Sequence, residues 1–390
     1  MAVRTKVDNV LESAVEAGEV AGVTAVATGQ SGVMYQGAYG DRTAGRPEPM
    51  TLDTVFWIAS MTKAITSVAA MQQVERGRLD LDEPLSRILP ELEKIRVLEG
   101  FSADGTPRLR EPKSPVTLRR LLTHTAGFVY DIWNADMGRY MAHEGIPGII
   151  ECKRATLMTP LTFDPGDRWD YGISIDWAGQ AVEKVTGQSL EDYFKQWITG
   201  PLGMSATAFV IDPAMRSRLA GMHARLPDGT LAPIDFELTQ TPEFFMGGGG
   251  LYSTAGDYAR FLRMLMNGGT LDGEQILKAG TVEEINRNQM GDLNVTALKS
   301  AIPESSNDAE FFPGMVKKWG LAYMVNTEPT PSGRSAGSLA WAGLGNTYYW
   351  LDPVNQVAGV ICTQVLPFGD AKVLDLFAAF EKAIYEQLDR

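Results

Sequence analysis

The sequence predicts an α/β fold of the α+β sandwich type, in which an antiparallel sheet is flanked by helices and an inserted, mainly helical domain interrupts it. Two observations predict this fold. Strand-like runs lie near both ends of the 390-residue chain, and the apolar residues between them recur mainly at helical spacing. We therefore expect residues 1–78 and 245–390 to form one α/β domain, residues 79–244 to form the inserted domain, and a cleft to lie between the two.

The elements of the terminal domain are predicted from apolar periodicity and turn residues. Strands are predicted where β-rich runs are bounded by turn signals such as Gly29-Gln30-Ser31-Gly32, and helices where apolar residues recur every three or four positions. In chain order, the predicted elements are a helix over 7–15, strands over 20–28, 33–37 and 54–58, a helix from Ser60 to about Gly77, a helix over 255–266, strands over 319–325, 338–342, 347–351 and 357–365, and a helix over 370–388.

The middle of the chain has mainly helical spacing with irregular segments rich in glycine and proline. Helices are predicted to start near Thr117, Ser174 and Ser189, each at a residue that favours a helix N-terminus. Residues 97–115 and 125–150 are predicted to be long loops. Long loops in a compact domain often contribute to function, so these two are candidate walls of the cleft.

Composition and charge limit the classes of function. The net charge of −13 argues against a nucleic acid or an anionic membrane surface as partner, and no apolar run reaches the length of a membrane span. The N-terminus has no apolar signal core, which predicts a cytoplasmic protein. Cys152 and Cys362 are expected to be reduced and buried. Because His124, His143 and His223 lack ligand spacing, we expect neither a metal nor another cofactor. The oligomeric state is left open.

Ser60 is the one serine in the chain that has a lysine, Lys63, three positions later. Both are predicted to lie in the first turn of a helix and to share one face. This arrangement suits a nucleophile beside an amine that takes its proton, and the helix N-terminus favours a developing anion. The alternative is an N-cap serine with a solvated lysine.

Two later segments hold residues that complement such a nucleophile. Tyr171 follows a turn and precedes a helix, from which it can project into a cleft, where a nearby ammonium would lower its pKa. Trp341-Ala342-Gly343-Leu344 ends a strand with a glycine, so that the amides of Leu344 and Ser60 can form an oxyanion hole. The alternatives are a tyrosine bonded to backbone and a strand interrupted before a loop.

Taken in order, these motifs resemble the serine β-lactamase and penicillin-binding protein superfamily, and more narrowly the family VIII carboxylesterases, which are similar to class C β-lactamases. The segments that carry the resemblance span almost the whole chain: Ser60-Met61-Thr62-Lys63, Tyr171, Trp341-Ala342-Gly343, and the runs at 121–128 and 249–257. The resemblance implies a β-lactamase-like fold. It implies Ser60 as acyl-forming nucleophile, Lys63 and Tyr171 as its activating pair, and Trp341 to Leu344 along the oxyanion side.

The chain departs from the class C pattern at two positions. Ile173 stands where that pattern has an asparagine after the tyrosine, and Trp341 replaces the lysine of Lys-Thr-Gly, so a cation that grips a substrate carboxylate is missing. The resemblance with these departures implies a serine carboxylesterase that acts on a short-chain ester as a small-molecule substrate. The alternatives are a weak β-lactamase, a D-aminopeptidase or DD-peptidase, an acyltransferase, or a non-catalytic penicillin-binding-like protein.

The remaining candidates concern the pocket and two competing motifs. Gly333-Arg334-Ser335-Ala336-Gly337 matches a nucleophile elbow, but no histidine follows it, so chain order excludes that assignment. His124 is expected to be structural and to fix a turn. Candidate residues of the pocket wall are Trp57, Phe128, Tyr130, Ile173 and Phe245.

Overall fold

The computed structural model describes residues 2–388 of the chain. Its strands are β1 (Gly22–Gly29), β2 (Val33–Gly40), β3 (Phe56–Trp57), β4 (Val97–Phe101), β5 (Pro107–Arg110), β6 (Met222–Arg225), β7 (Leu231–Ile234), β8 (Tyr252–Ser253), β9 (Thr270–Leu271), β10 (Glu274–Gln275), β11 (Lys317–Trp319), β12 (Met324–Asn326), β13 (Leu339–Gly343), β14 (Thr347–Asp352), β15 (Val357–Cys362) and β16 (Val365–Leu366). Its α-helices are α1 (Ala2–Glu16), α2 (Thr62–Glu75), α3 (Leu118–Leu122), α4 (Ala135–Glu144), α5 (Arg154–Leu157), α6 (Ser174–Thr186), α7 (Leu190–Phe194), α8 (Pro213–Arg216), α9 (Ala255–Met266), α10 (Ala279–Asn286) and α11 (Ala371–Leu388).

A seven-stranded antiparallel sheet forms the centre of the fold. Its strand order is β11-β12-β13-β14-β15-β1-β2, so strands from both ends of the chain pair directly, with Thr24 opposite Cys362 at the junction of β1 and β15. Because β1 and β15 lie near opposite ends of the chain, segments from both ends are needed to complete this sheet. The predicted antiparallel sheet with flanking helices is confirmed.

The two faces of the sheet are covered by different helices. Side chains alternate along each strand, so Trp350 on β14 belongs to the core beneath α1 and α11, whereas its neighbour Tyr349 belongs to the core beneath α2 and α9. Phe380 of α11 packs on the first face, and Tyr258 of α9 contacts the Tyr349 ring on the second. The helix that follows Ser60 is therefore held against the sheet by a continuous apolar layer.

The middle of the chain packs helices against α2. Helix α6 contacts both α2 and α3, and it ends at Gly187, which adopts the left-handed conformation that a helix cap requires. Ser189 caps α7 by accepting a hydrogen bond from the amide of Asp192. These contacts place the start of α6 beside the start of α2. The division of the chain at residues 79–244 stays a prediction.

Four predicted segments differ from the structure. The strand predicted over 357–365 ends at Cys362, and Val365 begins β16, which pairs with β6 in another sheet. Residues 97–115 contain the β4–β5 hairpin, and residues 125–150 contain α4, whose first turn is capped by the Asn134 side chain. The strand predicted over 319–325 is two strands, because the chain turns back between Trp319 and Met324, which pair with each other. Short polar hairpins and capped helices of two to three turns have weak apolar periodicity, so they were predicted as loop. Within residues 2–388, no helix is long and apolar enough to cross a membrane.

Candidate active site

Ser60 lies in a tight turn at the start of α2. Ala59, Ser60 and Met61 form a single 3-10 turn, in which Ala59 and Met61 are buried and Ser60 is partly exposed. Ala59 has φ of 43°, a left-handed conformation that is unfavourable for alanine. Such strain persists only where the surrounding structure imposes it, and it is common at functional sites. The turn presents the Ser60 hydroxyl to the cavity beside it.

Lys63 is buried directly behind Ser60. Its side chain is 1% exposed, and its amine Nζ lies 3.0 Å from Ser60 Oγ. The same amine lies 3.0 Å from the hydroxyl of Tyr130 and 2.6 Å from the carbonyl oxygen of Gly248. The amine thus has three oxygen neighbours, supplied by Ser60, Tyr130 and Gly248. The structure brings Ser60 and Lys63 together as the sequence predicted.

The protonation of Lys63 is set by burial and by one carboxylate. Loss of water around the amine lowers the pKa of Lys63 to about 7, and the negative charge of Asp176 opposes this shift. Asp176 is itself fully buried, which raises the pKa of its carboxyl to about 6. Its Oδ1 accepts a hydrogen bond from the Gly248 amide, at 2.9 Å. Gly248 therefore lies between the two groups, and a Cβ on it would meet Asp176 Oδ2 at 2.6 Å.

Tyr171 lies next to Tyr130 at the Lys63 amine, with the two ring centroids 5.4 Å apart. Its ring centroid is 4.7 Å from Lys63 Nζ, and its hydroxyl oxygen accepts a hydrogen bond from Trp341 Nε1 at 2.8 Å. Burial raises the pKa of Tyr171 well above its usual range, although hydrogen bonds with Ser60 and Trp341 oppose the shift. The expected lowering of this pKa by a nearby ammonium is therefore wrong, because desolvation outweighs the other contributions. Tyr171 is a neutral phenol that can pass on a proton.

His124 supports the Tyr171 segment. It is fully buried with φ of 56°, and its carbonyl oxygen accepts a hydrogen bond from the amide of Asp170. Its ring lies 4.8 Å from the ring of Tyr171, and burial holds the pKa of the imidazole well below its usual range. These contacts agree with the predicted structural role in a turn.

The end of β13 meets the Ser60 turn at a glycine. A Cβ at Gly343 would meet the Ile58 carbonyl oxygen at 2.4 Å, so only glycine allows this approach. Leu344 follows immediately and lines the same cavity as Ser60. Within residues 2–388 neither the Ser60 amide nor the Leu344 amide has a hydrogen-bond partner. Two unpaired amides beside a serine hydroxyl are the donors that an oxyanion hole needs.

The cavity at Ser60 has two narrow parts that share Ser60, Trp133 and Leu344. One part, of about 30 Å³, is lined by Trp57, Ala59, Ser60, Tyr130, Ile132, Trp133, Ile149, Ile150, Met246, Gly248, Gly249 and Leu344. The other, of about 10 Å³, is lined by Ser60, Trp133, Tyr171, Leu298, Trp341, Ala342, Gly343, Leu344 and Phe368. Ser60, Tyr171 and the segment from Trp341 to Leu344 thus line one site, and Lys63 lies directly behind Ser60. A larger cavity of about 660 Å³, between Arg42, Arg216 and Phe236, is lined by none of them.

Of the five residues predicted for the pocket wall, two line the cavity and three lie elsewhere. Trp57 and Tyr130 line the cavity. Phe128 instead packs near Trp177 in the helical core, and Phe245 packs on Phe209. Ile173 is buried directly before α6 and lines neither part of the cavity. Closeness in sequence to a catalytic residue did not decide which side chains face the cavity.

Two residues at the site were not predicted in their observed roles. Tyr130 was predicted only as a wall residue, yet its hydroxyl contacts the Lys63 amine. Asp176 was not singled out at all. The sequence signal for Asp176 is its position five residues after Tyr171, which places a carboxylate in the first turn of α6, near the predicted catalytic residues.

Ser335 lies away from this cavity. Its amide donates to Asp352 Oδ2 at 2.9 Å and its hydroxyl accepts from Asn355 Nδ2, so it fixes the loop before β13. Within residues 2–388, no three histidine, cysteine, aspartate or glutamate side chains are grouped so that they could hold a metal ion.

Comparison with known proteins identifies the family. The sequence model of the β-lactamase family matches residues 7–383, and the chain therefore belongs to the β-lactamase family. It is 32% identical to lovastatin esterase of Penicillium rubens over 97% of this chain and 98% of the relative. It is also 32% identical to monacolin J acid methylbutanoyltransferase of Aspergillus terreus over 97% of this chain and 95% of the relative.

A solved structure shows the same fold. A mutant simvastatin synthase from Aspergillus terreus superposes with a TM-score of 0.86 at 32% identity, covering 99% of this chain and 95% of that chain. The superposition extends over both ends and the middle of the molecule, so the β-lactamase-like fold is confirmed along the chain.

Proposed function

We propose that this protein is a serine esterase that cleaves short-chain carboxylic esters through an acyl-enzyme on Ser60, and that it is a family VIII carboxylesterase. The observation that carries the proposal is the buried amine of Lys63, 3.0 Å from Ser60 Oγ and with a pKa lowered to about 7. An amine that is substantially neutral near pH 7 accepts the serine proton, whereas a lysine of ordinary pKa would not. The proposal assigns the base to Lys63.

The catalytic steps follow from the positions of the donors. Lys63 takes the Ser60 proton as Oγ attacks the ester carbonyl, and the amides of Ser60 and Leu344 stabilise the resulting oxyanion. Tyr171, a neutral phenol, gives its proton to the leaving alkoxide and regains one from the Lys63 ammonium. Trp341 donates to the Tyr171 oxygen, which stabilises the transient phenolate. A water or an alcohol then attacks the acyl-enzyme by the same steps in reverse.

The cavity favours a small, neutral acyl group. Its two parts measure about 30 Å³ and 10 Å³, and apolar side chains such as Ile132 and Met246 supply much of the wall. Trp341 occupies the position of the lysine that would grip a substrate carboxylate in the penicillin-binding relatives. A β-lactam or a D-amino-acid peptide carries such a carboxylate, so both are poorer candidate substrates than a neutral ester.

Transfer of the acyl group to an alcohol is the second candidate. The relatives named above include both an esterase and a methylbutanoyltransferase, and one acyl-enzyme can serve either reaction. Incubation with p-nitrophenyl butyrate and increasing methanol separates them. A growing share of methyl butyrate at constant p-nitrophenol release supports transfer, whereas butyrate alone supports hydrolysis only.

The nucleophile is tested by covalent labelling. A p-nitrophenyl phosphonate is added, turnover of p-nitrophenyl acetate and butyrate is followed, and the adduct is located by peptide mass mapping. We expect one adduct on Ser60 with complete loss of turnover. An adduct on Ser335 would refute the assignment, and neither adduct nor turnover would favour a non-catalytic protein of the penicillin-binding type.

A further inference from the structure

A separate pocket lies behind Trp341, on the side away from Tyr171 and next to helix α11. It measures about 150 Å³, and its wall includes Phe311, Phe312, Arg334, Trp341, Phe377 and Ala378. We call it the Arg334 pocket. A cavity of this volume holds one benzene ring. Aromatic walls give such a ring stacked and edge-on contacts.

The guanidinium of Arg334 is the polar group of this pocket. Arg334 is 2% exposed, its Nε donates to Glu381 Oε2 at 2.8 Å, and its Nη2 donates to the same oxygen. Its Cζ lies 5.3 Å from the Phe312 ring centroid and 5.4 Å from that of Phe377. The third nitrogen, Nη1, has no hydrogen-bond partner anywhere in residues 2–388. Nη1 is not among the fully buried side-chain atoms that lack a partner, so it is open to the pocket and can donate to an acceptor that a ligand supplies.

The charges around the pocket decide which acceptor fits. Glu381 is 1% exposed and neutralises Arg334, and the Ser332 hydroxyl donates to its other oxygen. At the rim, Glu310 is paired with Lys317 at 3.2 Å. The pocket therefore has no net charge, and a carboxylate ligand would place a second buried anion beside Glu381. A neutral carbonyl oxygen accepts a hydrogen bond from Nη1 without placing a second buried anion beside Glu381.

We propose that the Arg334 pocket binds a small, neutral aromatic molecule that carries one carbonyl oxygen. The ring lies against Phe312 and Phe377, and the oxygen accepts a hydrogen bond from Arg334 Nη1. The Gly333–Gly337 motif thus contributes a binding residue, Arg334, in place of the nucleophile that its pattern suggested. The argument for this pocket does not rest on the proposed esterase activity, although Trp341 lines both sites.

Ligand-observed NMR titration of the intact protein with acetophenone tests the proposal. Ala378→Leu narrows the pocket from an exposed position of α11, and Ala371→Leu makes the same change at an exposed position of that helix that does not line the pocket. We expect saturable binding that Ala378→Leu weakens at least tenfold and Ala371→Leu changes less than twofold. Equal binding by both variants would place the ligand elsewhere, and the absence of saturable binding to the unaltered protein would refute the site.

Two further titrations test the chemistry of recognition. Benzoate should bind at least tenfold more weakly than acetophenone, and tighter binding of benzoate would contradict the neutral-ligand argument. Arg334→Lys keeps a cation beside Glu381 but removes Nη1, so it should weaken acetophenone binding at least tenfold. Unchanged affinity in this variant would refute the assigned hydrogen bond. If Arg334→Lys does not fold, the comparison of acetophenone binding by Ala378→Leu and by Ala371→Leu decides whether the Arg334 pocket is the binding site.

Discussion

Replacing Asp176 by asparagine should move the acidic limb of the pH–rate profile to lower pH. In the proposed mechanism only neutral Lys63 is active, so kcat/KM rises with pH through the Lys63 pKa, which is lowered to about 7. The Asp176 carboxylate raises that pKa by its charge. It is mostly ionised at pH 7, because its own pKa is raised only to about 6. Removing its charge therefore lowers the Lys63 pKa further.

The size of the effect follows from the separation of the two groups. Lys63 contacts the Gly248 carbonyl and Asp176 contacts the Gly248 amide, so two hydrogen bonds and one residue's backbone separate the charges, roughly 6–9 Å in all. At an effective dielectric constant of about 20, this separation gives an interaction of about 2–3 kcal/mol. One pKa unit corresponds to about 1.36 kcal/mol. Because the surroundings of the asparagine can rearrange, we expect the midpoint of the acidic limb to move about one to two pH units lower.

The assay is hydrolysis of p-nitrophenyl butyrate between pH 5 and 9, corrected for spontaneous hydrolysis. Asp170→Asn is the matched control. Burial also raises the pKa of Asp170 to about 6, and it neighbours Tyr171, but it is not among the groups that shift Lys63. We expect its limb to stay in place. An acidic limb that does not move in Asp176→Asn, or that moves to higher pH, would refute Lys63 as the titrating base.

Three further substitutions test the other parts of the site by the same assay. Ser60→Ala should abolish turnover while Ser335→Ala keeps most of it, and the reverse result would overturn the choice of nucleophile. Tyr171→Phe should leave a small remnant whose acidic limb still lies near pH 7, because Lys63 is unchanged; loss of that limb would make the tyrosine the base. Gly343→Ala should lower kcat by about 10²–10³, since the added Cβ meets the Ile58 carbonyl and displaces one oxyanion donor; activity within threefold of the unaltered protein would contradict the oxyanion assignment.

The elements that the sequence predicted well are those with strong local signals. Helix α6 starts at Ser174, as predicted, and stops before Gly187, because a left-handed glycine after an apolar helical run is a local stop signal. Helix α9 spans Ala255–Met266, the predicted range, because Thr254 caps it and its apolar stripe is regular. The β4–β5 hairpin has neither feature. Its mostly exposed and half-buried residues carry little apolar periodicity, so the sequence predicts a loop there.

The electrostatics of the site could not be predicted from the sequence. Lys63 and Tyr130 are 67 positions apart, and their contact depends on the backbone hydrogen bond from the Tyr130 amide to the Tyr171 carbonyl. The sequence suggested a lowered Tyr171 pKa, since it placed a cation near the phenol. Burial is set by the whole packed core, and it reverses the sign of that expectation.

The pKa shifts of Lys63 and Tyr171 follow from the indole of Trp341, which stands where the class C pattern has a lysine. A second ammonium near the nucleophile would help to keep Lys63 neutral by repulsion, and it would also favour a tyrosinate. With an indole at this position, Lys63 must lose its charge through burial alone, and it is 1% exposed. The same burial holds Tyr171 as a neutral phenol, while Trp341 Nε1 still stabilises the phenolate when a proton has passed. In the proposed mechanism, one physical effect, desolvation, therefore makes Lys63 a base and Tyr171 a proton donor, because it favours the neutral form of each. The carboxylate of Asp176 opposes the effect of desolvation on the pKa of Lys63.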